Sequence, residues 1–212
     1  MPTEATTRYA AEAVAQGEVV LAGRGELVGT MQPSDHAVAR AVRAQAAEAA
    51  AGLLCAAVDS GGLPAARALT RSRLAMLRRR WAQGDRRVEA GDAAVVVLGL
   101  RDKRLRDEVM TGLLDDEPGV LLGLLVELTR CTEDLDAAPV CTVVGWVAYA
   151  TGHGALAAVA VDRALRAEPG YPMAELLRTG MDRMVEPGDL RRICRQVRAD
   201  LAVETGETGE AG

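Results

Sequence analysis

Apolar residues recur along this chain with the spacing of α-helices, and glycine, proline and short polar runs separate the apolar segments. The pattern is strongest over residues 137–180. Two apolar segments there are separated by Gly-His-Gly at 152–154, and a Pro-Gly-Tyr-Pro turn at 169–172 precedes a third. Small residues such as Cys141 and Gly145 allow two antiparallel helices to approach closely. The spacing is typical of a tetratricopeptide-type helical hairpin.

Caps and breakers divide the rest of the chain into further helices. Ser34 and Asp35 can start a long helix that the polar and glycine residues at 59–62 end, and Pro64 suits the first position of the next helix. The only strand-like run is EVVLA at 18–22, which a Gly-Arg-Gly turn follows. The predicted helices cover 3–16, 26–31, 35–58, 64–83, 91–100, 102–114, 118–130, 138–151, 154–167, 172–184 and 188–203.

These elements predict an all-α protein, an irregular stack of about nine helices with one tetratricopeptide-like hairpin and at most one short strand near the amino terminus. The hairpin pattern does not repeat along the chain, so neighbouring helices must cover it. We expect an N-terminal arm at 1–31, a helical domain at 32–203 and a disordered acidic tail at 204–212. The residues expected to be among the most buried are Val140, Val143, Val144, Val147, Leu156, Val159, Ala160 and Leu165.

The composition indicates a source and limits the partners. The chain has 212 residues, 49% of them hydrophobic, which is enough for a full core. It contains no Phe and no Asn, one Ile, and one Lys against 24 Arg, so codons rich in A and T are avoided and a high-GC bacterial genome is indicated. A net charge of −5 gives no overall attraction to nucleic acid or anionic membranes.

One apolar stretch is long enough to be weighed as a membrane span. Residues 137–161 contain no Asp, Glu, Lys or Arg. The Gly-His-Gly interruption and Pro139 favour two short buried helices instead. The first residues lack the features of a secretory signal peptide, and none of the four cysteines belongs to a CxxC pair, so we expect a cytoplasmic protein without a membrane partner.

An arginine-dense segment follows Gly61, with Asp85 as its single acid. Its leucines and Trp81 form one apolar face, so the helix is amphipathic. The arginines either bind nucleic-acid phosphates or an acidic protein, or they pair with the acids of 102–136. An open stripe of arginines on the surface would favour binding of phosphates or of an acidic protein. Ion pairs inside the helical stack would favour the structural interpretation. The lack of interleaved aromatic residues already favours the structural interpretation. The segment contains Arg67, Arg71, Arg73, Arg78, Arg79, Arg80, Arg86 and Arg87.

The residues that could carry catalysis do not form a recognised motif. The chain has two histidines, His36 and His153, and three serines, without a nucleophile elbow, a phosphate-binding loop or a zinc-protease motif. His153 lies between glycines and is interpreted as a turn residue. We therefore predict no catalytic residue, no metal site and no cofactor.

Two motifs carry a resemblance to a known family. Arg101-Asp102 and Arg106-Asp107 form an Arg-Asp-x-x-x-Arg-Asp segment, and residues 152–157 and 164–171 read GHGALA and ALRAEPGY. In these motifs the chain resembles the carboxy-terminal part of an actinobacterial family catalogued as domain of unknown function 4192. The resemblance is specific over about 90–185 and weak over 1–60. It implies an actinobacterial cytoplasmic protein, and that longer relatives carry an additional α/β half, but it implies no activity.

These observations favour a helical interaction or scaffold module without catalytic activity. The alternative is a nucleic-acid-associated regulatory protein that uses the arginine-rich helix at 64–87, although nucleic acid is the less favoured partner. We expect a protein partner or a homo-oligomer, with the contact at 1–31. Asp102 is expected at a helix start, with the neighbouring arginines bridging to another helix. The candidate binding residues are Arg71, Arg78, Arg79, Arg80, Arg101, Asp102, Arg106 and Asp107.

Overall fold

A computed structural model of the protein describes residues 24–115 and 117–204. These residues form α-helices throughout, joined by short turns and two single 3-10 turns at Gly112–Leu114 and Asp134–Asp136, and no strand occurs within them. The helices are α1 (Arg24–Thr30), α2 (Ala37–Ala82), α3 (Ala90–Gly99), α4 (Lys103–Thr111), α5 (Pro118–Arg130), α6 (Ala137–Ala150), α7 (Gly154–Ala167), α8 (Pro172–Asp182) and α9 (Pro187–Glu204).

The all-α fold class is therefore confirmed. The described ranges contain nine helices, and the two predicted helices at 35–58 and 64–83 are the two halves of α2. The predicted helix at 3–16, the strand at 18–22 and the tail beyond 204 lie outside the described residues. One local prediction was wrong. Arg24 and Gly25 belong to the first turn of α1 instead of to a turn before it.

Helix α2 contains the break that its glycines predicted. Gly61 and Gly62 have non-helical backbone angles, and the φ of Gly62 is 69°, a left-handed conformation that glycine adopts without strain. Pro64 then opens the second half of the helix. The two halves, 37–60 and 64–82, are therefore separate helical segments. Both lie along α3, the shorter helix that follows them.

The hairpin of α6 and α7 forms the centre of the molecule. All but one of the residues of α6 are buried. Gly145 lies so close to α7 that an added Cβ would be 2.9 Å from the Val161 side chain and 3.5 Å from the carbonyl oxygen of Ala157. Helices α5, α8 and α9 cover the hairpin. This covering is expected because the hairpin pattern occurs only once in the sequence and has no repeat to stack against. The close approach explains why the sequence places a residue without a side chain there.

Six of the eight residues expected in the centre of the core are fully buried. Leu156 and Leu165 are only partly buried, so that part of the prediction was wrong. Ala157, Val161 and Ala164 lie on the fully buried face of α7, and Val161 lies against Gly145 of α6. Leu156 and Leu165 each lie one residue outside this face, which places them about 100° away around the helix. Their side chains pack on the edge of the core instead.

Candidate functional site

The arginine-rich half of α2, residues 64–82, lies against acidic residues of α3 and α4. Arg67 binds the carboxylate of Asp102 through two hydrogen bonds of 3.0 and 2.8 Å. Asp102 also caps α4, because its Oδ1 accepts a hydrogen bond of 2.9 Å from the backbone N–H of Leu105. Partial burial acts to raise the pKa of Asp102, but the hydrogen bonds from Arg67 and Leu105 outweigh it and hold that pKa below its usual value.

Most of the other arginines in this segment are also ion-paired. Five of the eight bind an acid of residues 85–115. Four of these pairs hold α2 to the elements that follow it, whereas Arg80 binds Asp85 in the turn directly after α2. Arg86 instead lies over the ring of Trp81, with 4.5 Å from its Cζ to the ring centroid. The side chain of Arg79 has no hydrogen bond or ion pair among the described residues, and that of Arg87 acts on Asp85 through its charge alone. The pairs are Arg67–Asp102, Arg71–Glu108, Arg73–Asp92, Arg78–Asp115 and Arg80–Asp85.

The Arg-Asp-x-x-x-Arg-Asp segment has the structural contacts expected of it. Arg101 reaches Asp136 at 2.9 Å, in the 3-10 turn before α6. Arg106 is nearly buried, binds Asp107 at 2.6 Å and donates a hydrogen bond of 3.1 Å to the hydroxyl oxygen of Tyr171. Burial alone would lower the pKa of Arg106, but these two partners raise it. Sequence reasoning missed the contact with Tyr171, although both residues belong to the motifs that carried the family resemblance.

A cleft of about 650 Å³ opens between α2, α4 and α9. Arg71 and Arg78 line it from α2, and two arginines that sequence reasoning did not select line it from the other helices: Arg104 from α4 and Arg198 from α9. Arg198 belongs to a basic run at 191–198, and its spacing along that helix was the only available indication. The cleft therefore gathers arginines that are distant in the sequence.

Asp115 lies between two of these arginines. Arg78 donates to one of its carboxylate oxygens at 2.6 Å, and Arg198 donates to the other at 2.9 Å. Partial burial acts to raise the pKa of Asp115, but the two guanidinium groups outweigh it and lower that pKa. Asp115 is thus ionised at neutral pH, and a single carboxylate serves two cations.

The first half of α2 presents a different kind of surface. Its inner side packs on α3, where Ala50 is buried with Ala94 and Val95. Its outer side is apolar and exposed, and includes Val38, with 66% of its surface exposed, and Leu53, with 52%. Half of the ten large hydrophobic residues that are exposed in the described part of the chain lie between positions 38 and 63. The exposed apolar residues of the described chain are therefore concentrated on this one helix.

The described residues contain no group of three or more His, Cys, Asp or Glu side chains placed to hold a metal ion. The Nδ1 of His153 lies 3.0 Å from the hydroxyl oxygen of Thr151 at the end of α6. The same part of the chain contains one helix, α2, that is long and apolar enough by length and composition to cross a membrane.

The protein is an all-α helical stack with an ion-paired arginine helix and an exposed apolar helix. It belongs to the family described as Domain of unknown function (DUF4192), whose model matches residues 1–188. The match extends over the amino-terminal residues, where the resemblance of individual motifs was weak. No curated protein matches the chain, and no solved structure matches it.

Proposed function

We propose that the protein is a helical protein–protein interaction module without catalytic activity. Its contact surface is the outer side of the first half of α2, which we call the α2 face: Val38, Val42, Ala49, Leu53 and Ala56. These residues share one side of the helix, because 3.6 residues make one turn. The observation that carries the proposal is the exposure of this apolar side on a helix whose other side is packed into the fold.

A second copy of the chain is the partner that fits this face. Ala49 and Ala56 have small side chains near its middle, so the same face of another copy can approach closely. The same segment contains a positively charged residue, Arg40, and a negatively charged one, Glu48. Two copies of the face can therefore pack together without bringing only like charges into contact. Self-association through one patch gives the two-fold symmetry that is commonest among oligomers.

Two other partners are less well supported. A membrane would require the first half of α2 to leave the fold, where the Nε of Arg43 binds Glu133 at 2.6 Å. A nucleic-acid partner for residues 64–87 stays a prediction with reduced support, because five of the eight arginines are ion-paired instead of forming an open stripe. The contact that the sequence predicts at 1–31 falls mostly on residues outside the described part of the chain.

Disulfide crosslinking tests the proposed contact. With Cys55 replaced by Ser, the substitution Ala49→Cys puts a thiol at the centre of the α2 face. The same background with Ser72→Cys puts an exposed thiol on the other half of the same helix and is the matched control. We expect mild oxidation to produce a covalent dimer of the first variant and little of the second. Equal crosslinking of both, or of neither, would contradict the proposal, as would flotation of the wild-type protein with phosphatidylglycerol vesicles.

A further inference from the structure

We propose that the cleft between α2, α4 and α9 binds a small organic anion, with a phosphate or carboxylate head held by Arg78 and Arg198 and an apolar body against the cleft floor. The proposal does not rest on the α2 face, which lies on the other half of α2. It also differs from the nucleic-acid alternative, because the site is a cleft for a small molecule and not an extended surface.

The size of the cleft suits such a ligand. Its volume of about 650 Å³ is within the range of roughly 300–1,000 Å³ that is typical of small-molecule sites. Three helices contribute to its walls, so side chains converge on it from several directions. Among the described side chains that line it, four are arginines and two, Glu108 and Asp115, are acids. The described lining side chains therefore include two more cations than anions, in a protein whose net charge is −5.

The donors for an anion come from Arg78 and Arg198. Each of them uses part of its guanidinium group on Asp115. An arginine carries five N–H groups in a planar fork that matches a carboxylate or phosphate. The Nε and Nη2 of Arg78 and the Nη1 of Arg198 have no partner among the described residues. About 30% of the Arg78 side chain and 45% of the Arg198 side chain is exposed, so these groups are accessible to a ligand.

The position of the Asp115 carboxylate indicates that the head group of the ligand is an anion. Its carboxylate already lies between the two guanidinium groups, one oxygen on each, so the protein places an anion of its own in that position. Two positive charges against one negative charge leave room for a second anion. A ligand oxygen that binds beside Asp115, or displaces it, restores the balance. The side chain of Asp115 is therefore a competitor of the ligand for the same donors.

The floor of the cleft supplies the second part of the site. Leu74, Val109 and Leu121 line it together with Leu201 and Ala202. An inorganic anion would leave this apolar surface in contact with water, whereas an organic anion covers it. Burial of apolar area gains about 25 cal/mol per Å², so the body of the ligand adds affinity beyond that of its head.

Titrations of the full chain, followed by NMR of backbone amides, test the site. The probes are phenyl phosphate, benzoate, inorganic phosphate and phenol. We expect the tighter-binding of the two organic anions, phenyl phosphate or benzoate, to bind at least tenfold more tightly than inorganic phosphate. The amide chemical-shift changes should be concentrated on α4 and α9. Phenol should not bind. Binding of phenol as tight as that of both organic anions, or equal binding of inorganic phosphate, would overturn the proposal.

Three substitutions separate the site from a structural role of its ion pairs. Arg198→Gln should weaken the preferred probe about tenfold, the loss of one charge-assisted hydrogen bond. Asp115→Asn removes the competitor and should tighten binding. Ala75→Glu adds a negative charge to an exposed wall residue, removes no existing pair and should abolish binding. Arg79→Gln changes an exposed arginine outside the cleft and is the matched control.

The opposite results overturn the assignment even if one variant fails to fold. Ala75 is exposed and its side chain takes part in no hydrogen bond or ion pair, so an unchanged affinity in the folded Ala75→Glu variant excludes the cleft. A loss of binding in Arg79→Gln as large as that in Arg198→Gln would show that any surface arginine serves. If the cleft does not bind the probes, the crosslinking result for the α2 face is unaffected. If the α2 face does not crosslink, the binding result for the cleft is likewise unaffected.

Discussion

The guanidinium group of Arg163 donates a hydrogen bond of 2.8 Å to the backbone carbonyl oxygen of Thr129. Arg163 is in α7, only 1% of its side chain is exposed, and Thr129 is in the last turn of α5. The same group also donates to the carbonyl oxygens of Thr132, at 2.8 Å, and Met31, and it lies 3.3 Å from Asp134. One buried arginine thereby satisfies the free carbonyl groups that follow α1 and end α5.

Replacement of Arg163 by Met should be strongly destabilising. The apolar side chain keeps much of the volume but leaves the carbonyl oxygens of Met31 and Thr132 without a donor. That of Thr129 keeps only the backbone N–H of Thr132, at 3.4 Å. Each unsatisfied buried group costs about 1–3 kcal/mol. We expect the free energy of unfolding to fall by about 3–5 kcal/mol in urea denaturation. Arg166→Met makes the same chemical change at an exposed position of α7 and is the control. Equal effects of the two substitutions would contradict the role of Arg163.

Gly145 and Gly52 should respond in opposite ways to replacement by Ala. At Gly145 the new Cβ would lie 2.9 Å from Val161, so the α6–α7 hairpin must open and the protein should lose about 1–3 kcal/mol. At Gly52, in the first half of α2, no atom lies within 4 Å of the new Cβ. Ala is the better helix former by about 1 kcal/mol, so the second variant should be more stable. Thermal unfolding followed by circular dichroism measures both, and destabilisation of equal size would contradict the packing described here.

Stability should fall in acid in a way that depends on Asp102. The folded-state pKa of this carboxyl is lower than its usual value of about 3.9. Its contribution is therefore complete above about pH 4 and is lost as the pH falls through the lower folded-state pKa. Asp102→Asn should lose about 1–2 kcal/mol at pH 7, through the lost ion pair with Arg67 and the lost negative charge at the start of α4. Its stability should also change less than that of the wild type between about pH 4 and pH 2; parallel pH profiles would contradict this assignment.

The four thiols should react at very different rates. Burial raises the pKa of Cys141 to about 12 and, together with Glu127, raises that of Cys131 to about 11. Burial also raises the pKa of Cys194, whose sulfur accepts a hydrogen bond of 3.1 Å from Trp146. Cys55 is exposed. Since the thiolate is the reactive form, we expect one equivalent of thiol to react rapidly with a disulfide reagent at pH 8, and Cys55→Ser to remove it. Rapid reaction of two or more thiols in the folded protein would be inconsistent with this burial.

The helices could be predicted from the sequence because their ends are determined locally. The Gly61-Gly62 break, the proline at the start of α5 and the small residues of the α6–α7 hairpin each act within a turn or two of the chain. The cap by Asp102 and the pairing of the arginine helix with following acids could be predicted as well, because the partners are on consecutive helices.

Contacts between distant segments could not be predicted in this way. Arg163 and Met31 are 132 residues apart, and the charged residue gives no local sign of the carbonyl groups it meets. Its one indication is that it follows the buried Val159 by one helical turn. The cleft could not be predicted for the same reason, because Arg198 lies near Arg78 only through the packing of α9 against α4. A single sequence shows which residues are charged and which share a helix face. Which of these residues come together depends on how the helices pack.

Sedimentation velocity over a wide concentration range tests the central proposal of an interaction module most directly. The wild-type chain should shift from monomer to dimer with increasing concentration. Leu53→Glu places a charge on the α2 face at a position already half exposed, and should keep the protein monomeric without loss of helical content. Leu176→Glu, at an exposed leucine of α8, is the control and should dimerise like the wild type. A wild-type protein that remains monomeric at every concentration, or a dimer that Leu53→Glu leaves intact, would contradict the proposal.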